Sequence, residues 1–421
     1  MKPGTVAVRA ASGWDPVAGR LPGPLLVLVS AETGAILDID TSGAAPPDAA
    51  SVIECGDAVL MPGMVDGHVH LCWEPALDPT SQFLERADEE LIGTGVRAAD
   101  AMVRAGITTA RDLGDRGYLT TGLRDRLAVD RTAGPELLVA GPPITPTRGH
   151  CWFLSGQADG AEQLTQAVRE RVDRGVDVVK VMATGGMLTP GWAMHEAQYA
   201  LADPRVVTDA AHARGLPVVA HAHGRAGVVA AIAAGVDGIE HCTFVTADSV
   251  ECDWDVVDEL VRREIPVSAT EAILPGLPLP AGFAERIELA WRNLVEMHRR
   301  GVRLTISSDG GILPIKPHDV LPHGAVLFAG LGLSTADALT AVTATPAAAC
   351  GRSDRKGRIA RGYDADLIAL PADPVSDITA LLRPVMVIRG GVVVSTDGDG
   401  DGAARVGRRR AANLMGRRPG G

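Results

Sequence analysis

From residue 59 to residue 311 the chain alternates short apolar runs with longer stretches whose apolar positions recur every three or four residues. The runs are "VLMPGMVDGHVH" (59–70), "GITTARDLG" (106–114), "PELLVAGPPIT" (135–145) and "VDVVKVMATGG" (176–186). They continue with "LPVVAHAHG" (216–224), "GVDGIEHCTF" (235–244), "IPVSATEA" (265–272) and "VRLTISSDGG" (302–311). Near-continuous apolar segments of this length read as strands buried on both faces. Spacers such as "TGVRAADAMVRA" and "RIELAWRNLVEMHRRG" carry the period of amphipathic helices. Eight strand–helix units predict an α/β fold, a closed parallel (β/α)8 TIM barrel over residues 61–358.

The two ends of the chain have a different texture. "TVAVRA", "PLLVLVSAETGAIL", "GRIARGYDADLIALPAD" and "PVMVIRGGVVVS" are strand-like pieces separated by Gly, Pro and Asp turns. They predict that both termini pair into a small β-sandwich domain, residues 1–60 plus 359–396. Residues 397–421 hold "DGDGDG" and then a basic, Gly-rich stretch, which reads as a disordered, solvated tail.

Composition narrows the function classes. With 46% apolar and 22% charged residues the chain reads as a soluble globular protein, and a formal charge of −12 argues against a nucleic-acid surface. The apolar run "GPLLVLVS" is too short to cross a bilayer, so no membrane partner is expected. Six cysteines without a CxxC pair read as reduced thiols of a cytoplasmic protein. The expected partner is a small-molecule substrate; oligomeric state is left open, a homo-oligomer being compatible.

Reactive groups of such a barrel belong at the C-terminal ends of its strands. His68 and His70 close the first run, two residues apart and therefore on one side of a strand. Lys180 lies in the fourth run, His221 ends the fifth, His241 the sixth, and Asp309 the eighth. A histidine at one strand end is ordinarily a hydrogen-bonding residue, and a lone aspartate there caps the next helix. Six such residues on five strands of one barrel face instead form a metal-ligand set. Six donors exceed the four of a single tetrahedral site and favour two divalent ions, with Zn2+ the first choice. Lys180 is anomalous, because a buried ammonium loses its water shell at a cost of several kcal/mol.

"DGHVH", "GITTARDLG", "KVMATGG", "AHAHG", "AGVDGIEH" and the long segment from "LPHGAVLFAG" to "DADLIAL" together resemble the metal-dependent amidohydrolase superfamily. Within it they are most similar to the imidazolonepropionase-like branch that includes metal-dependent prolidases and carboxypeptidases. The resemblance implies that Lys180 is carboxylated to N6-carboxylysine and bridges the ions. It assigns His68, His70 and Asp309 to one ion, and His221 and His241 to the other. It implies hydrolysis of a C–N bond by metal-activated hydroxide, with Asp309 as the catalytic proton shuttle. The bond would be an amide, N-acyl amino acid, dipeptide or cyclic amide. It also points to His150, His223 and Arg225 as substrate contacts, Arg225 as a carboxylate clamp. Asp112, His318 and His323 read as structural, His195, His212 and His298 as solvated, and Cys72 and Cys242 as non-nucleophilic. Two rival readings are a mononuclear deaminase of the same superfamily and a non-catalytic scaffold. Gly224, at the glutamate position of a deaminase HxxE, and the intact ligand set weigh against them.

Overall fold

A computed structural model describes residues 4–48, 50–277 and 284–396; the expected tail, 397–421, lies outside the described residues. The barrel strands are Met64–Val69, Ile107–Asp112, Glu136–Val139, Val179–Met182, Val218–Ala222, Gly238–His241, Val267–Ala269 and Leu304–Ile306, hereafter barrel strands 1 to 8. All pair in parallel, the first three as one sheet and the last five as another. Single bridges join the two sheets into a ring: Ile144 with Val181, and Val69 with Gly310. A helix follows each strand before the next begins. The helix Asp88–Arg104 shows why. Leu91, Gly95, Ala98, Ala99, Met102 and Val103 form its buried stripe, three acidic residues open its first turn, and left-handed Gly106 follows its end.

The first run divides in two. Val59–Pro62 joins a six-stranded sheet of the terminal region, and only Met64–Val69 enters the barrel. Gly63 makes the break, since a Cβ there would meet Thr108 Oγ1 at 2.2 Å. The six-stranded sheet pairs Leu367–Leu370, from one end of the chain, antiparallel to Val59–Pro62, from the other. A second, four-stranded sheet is built from Ile36–Asp40, Leu25–Ser30, Thr5–Ala10 and Ser51–Glu54. Val8, Val27, Ile36, Leu60, Leu367 and Ile388 fill the space between the sheets, which gives the expected sandwich. Lys356, 3% exposed at its side chain, ties the sandwich to barrel strand 3 through Asp366 (2.6 Å), Asp364 (2.8 Å) and Glu136 (3.1 Å). No helix among the described residues is long and apolar enough to cross a membrane.

Candidate metal centre

At the C-terminal mouth of the barrel, two trios of donors face a cavity of about 320 Å³. His68, His70 and Asp309 form one, and His221, His223 and His241 the other; within each, the candidate ligand atoms lie within 4.8 Å of one another. Asp309 Oδ1 is 3.3 Å from His70 Nε2 and 3.5 Å from His68 Nε2. The trios adjoin, with the His68 and His241 rings 5.2 Å apart at their centroids.

The ring nitrogens turned away from the cavity are held. His68 Nδ1 donates to Glu240 Oε2 at 2.9 Å, and His70 Nδ1 to the Gly114 carbonyl at 3.2 Å. His241 Nδ1 pairs with Thr270 Oγ1 at 2.7 Å, and His223 Nδ1 with Thr243 Oγ1 at 2.9 Å. This fixes the rings with Nε2 free for a ligand role, except that His221 Nε2 sits 2.9 Å from the Gly185 carbonyl. Glu240 is itself anchored, its Oε1 accepting from Arg111 Nη2 at 3.0 Å. Strand geometry places it there. Glu240 faces the barrel interior, and His241, the last residue of the strand, reaches the cavity because its left-handed backbone (φ +73°) breaks the strand's alternation.

Lys180 is 1% exposed and its Nζ has no hydrogen-bond partner among the described residues. Burial pulls its amine from 10.5 down to about 8. Its charge reaches both trios: burial, and then Lys180, hold His68 down at about 4, and His221 and His241 are also lowered. Burial would raise Asp309, but the Lys316 ammonium, His68 and His70 outweigh it and keep the carboxylate well below its usual range. Two of these positions carry backbone strain. His241 has φ +73° and Asp309 φ +51°, in the left-handed region that costs a non-glycine residue about 1–3 kcal/mol.

The match to the Amidohydrolase family spans residues 59–394. The chain belongs to that family. It is 26% identical over 373 residues to ochratoxinase of Aspergillus niger, covering 78% of this chain and 73% of that one. It is 26% identical over 377 residues to imidazolonepropionase of Sphingopyxis alaskensis, covering 81% and 85%. A solved Xaa-Pro dipeptidase with bound methionine superposes with TM-score 0.81 at 25% identity, over 92% of this chain and 99% of that one. Family membership makes this amidohydrolase a hydrolase acting on carbon–nitrogen bonds.

The residue chemistry fits the divalent ions that the family implies. Two trios of imidazole and carboxylate donors, all buried but the half-buried His70, stand on one cavity with a buried amine that has no hydrogen bond among the described residues. His150, His223 and Lys180 line that cavity with the ligand candidates. His150 is 4% exposed with Nδ1 unpartnered, its ring 4.8 Å from that of His221.

Arg225 is not brought to the site. As the first residue of helix Arg225–Ala234 its side chain is 63% exposed, and it pairs with Asp253 at 2.5 Å, the cap of the following helix. His195, expected in solvent, instead lines the cavity, because its backbone packs against Gly224. Asp112 has the structural place expected of it, accepting from Leu71 N at 2.7 Å and Gly114 N at 3.1 Å. Cys72 and Cys242 are buried and their thiols are pushed up, away from the reactive thiolate.

Sequence reasoning missed Glu240 and Arg111, whose signal was charge within apolar runs. It also missed Lys316, in the loop after barrel strand 8. Lys316 is 7% exposed and lines the cavity, its Nζ bonded to the Thr270 and Ser308 carbonyls and 3.8 Å from Asp309 Oδ2.

Proposed function

We propose that this chain is a binuclear amidohydrolase that cleaves an amide, N-acyl amino acid, dipeptide or cyclic-amide bond. The observation that carries the proposal is the pairing of two donor trios on one cavity with a buried Lys180 amine that has no hydrogen bond among the described residues. An amine brought down to about 8 has a substantial neutral fraction near pH 7–8, the form that reacts with CO2. The Lys180 nitrogen forms a bond to the carbon of CO2 and loses a proton, giving N6-carboxylysine, an anion with two oxygen donors. In this reading His68, His70 and Asp309 would hold one ion and His221 and His241 the other, with the carboxylated Lys180 supplying oxygen donors to them. Two divalent ions, Zn2+ as first choice, supply Lewis acidity toward water and the substrate carbonyl when bound.

The chain's own residues do the rest. Asp309 accepts the proton of the attacking water on its carboxylate and delivers it to the departing amine nitrogen. Lys316 and the two histidines beside Asp309 keep it ionised until then. Burial, the largest cause, pulls His150 well below its usual range and keeps it neutral, so it contacts substrate without adding charge. His223 faces the same space. The apolar surfaces of Trp73, Leu154, Met182 and Ile312 exclude water around the bond. A single-ion deaminase would leave one of the two trios without a task. Six free cysteines accord with a reducing, cytoplasmic setting.

The test is a screen of protein loaded with divalent metal in bicarbonate against N-acyl amino acids, dipeptides and lactams. Amine or carboxylate release that a chelator abolishes and added metal restores is expected. Asp309→Asn should lower kcat by about 100-fold or more while metal remains bound. Full activity of that variant would remove the proton shuttle from the mechanism.

A further inference from the structure

Glu271 follows barrel strand 7 and lines the cavity at 7% exposure. Its Oε2 accepts a hydrogen bond from Trp291 Nε1 at 3.1 Å. Among the described residues its Oε1 has no hydrogen bond and its carboxylate forms no ion pair, unlike the buried Glu240 and Asp309. The same lining includes the apolar side chains of Val245, Val250, Ile273, Ile287 and Ala290, together with Thr246, Thr270 and Arg286. Of the three lysine and arginine side chains in the lining, Lys180 is the one read above as carboxylated; the other two bond backbone carbonyls, with Arg286 Nε left buried and without a hydrogen bond among the described residues. Lys316 Nζ is bonded to the Thr270 and Ser308 carbonyls, and Arg286 Nη2 to the carbonyls of Thr246 (2.7 Å) and Ser249 (3.2 Å). A carboxylate buried among apolar side chains is costly unless a cation compensates it, and here the open side of the group faces the space a substrate enters.

We propose that Glu271 anchors a cationic group of the substrate, so that the amide cleaved carries a protonated amine within an otherwise apolar portion. The ammonium would donate to Glu271 Oε1, with the carbon skeleton against Val245, Ile273 and Ile287. Trp291 holds the carboxylate in place from behind and makes it a positioned acceptor. This rests on the reading of the cavity as the substrate site of an amidohydrolase, but its test does not depend on turnover.

The experiment is calorimetric binding of 2-phenylethylamine, protonated at pH 7, and of its neutral isostere 2-phenylethanol, to the full chain stripped of metal. The amine is expected to bind about tenfold or more tightly than the alcohol, the scale of one charge-assisted hydrogen bond. Glu271→Gln should remove the preference, whereas Trp291→Phe, which keeps the carboxylate, should retain part of it. Circular dichroism of each variant verifies the fold. Equal binding of the two probes to the native chain, no binding of the amine, or an undiminished preference in Glu271→Gln would overturn the proposal. With the loaded enzyme, hydrolysis of L-leucine 4-nitroanilide and its des-amino analogue at equal kcat/KM would refute the anchor and leave the hydrolase reading standing. Failure to hydrolyse any amide would refute the latter instead.

Discussion

His68 has one nitrogen on Glu240 and the other toward Asp309, and Glu240 in turn holds Arg111, so two buried side chains stand behind one ligand candidate. Burial would raise Glu240, yet His68, Lys180 and Arg111 keep it ionised at about 2. Glu240→Gln removes the charge that both neighbours face. It should weaken metal affinity about 10–100-fold, as loss of a ligand-orienting partner does. It should also lower stability by about 3 kcal/mol, because Arg111 is left buried without its counter-charge. Competition with a chromophoric chelator and urea unfolding measure the two effects; unchanged metal affinity would mean that Glu240 serves the fold alone.

The barrel elements position these residues because strand ends and helix starts meet at the mouth. Gly224, between His223 and the helix that follows, has no room for a side chain: a Cβ would lie 2.3 Å from the His195 carbonyl oxygen and 2.6 Å from its Cα. Both obstacles are backbone. Gly224→Ala is therefore expected to cost about 1–3 kcal/mol and to move the loop carrying His195 off the cavity, read by denaturant unfolding and KM. A variant with native stability and KM would contradict the packing described. At this scale much was legible in advance. The six expected ligand candidates stand on one cavity because apolar runs with polar ends mark buried strands, and the barrel brings those ends together. Barrel strands 3 and 7 are only Glu136–Val139 and Val267–Ala269, shorter than their apolar runs, since composition cannot show where ladder pairing stops. Lys316 and His195 were illegible because loops have no period, and their neighbours are set by how distant segments pack, whereas Glu271 stood, like Glu240, as a charge within an apolar run. Arg225 was misplaced for a related reason: proximity in sequence to His223 says nothing of which way a helix-start side chain points.

Over the whole molecule, the site makes the metal-free fold acid-sensitive. Burial pulls His68 from 6.5 to about 4, and His150 and His223 each to about 3, so these rings are neutral in the fold. Below pH 6.5 the unfolded chain binds protons that the fold refuses. Stability present above that pH is therefore lost as pH falls toward 4, in the same direction as the loss from Glu240 near its own lowered value. Asp66 and Asp115, raised by burial to about 6 and about 7, and His70, also raised, bind protons in the fold first and oppose this loss. The lowered rings of His68, His150, His221, His223 and His241 outnumber them, so the melting temperature of metal-stripped protein should fall from pH 7 to pH 4.5, and a rise would contradict the burial of these rings. Lys180 acts in the opposite range. Its lowered value means that stability rises with pH between about 8 and 10.5, where the unfolded chain holds a proton the fold has released.

The most direct measurement is electron density at Lys180 in crystals grown with divalent metal and bicarbonate. A carbamate on Nζ joining two ions is expected, one ion beside His68, His70 and Asp309 and one beside His221 and His241. A bare Lys180 amine, with no ion at either trio under those conditions, would contradict it.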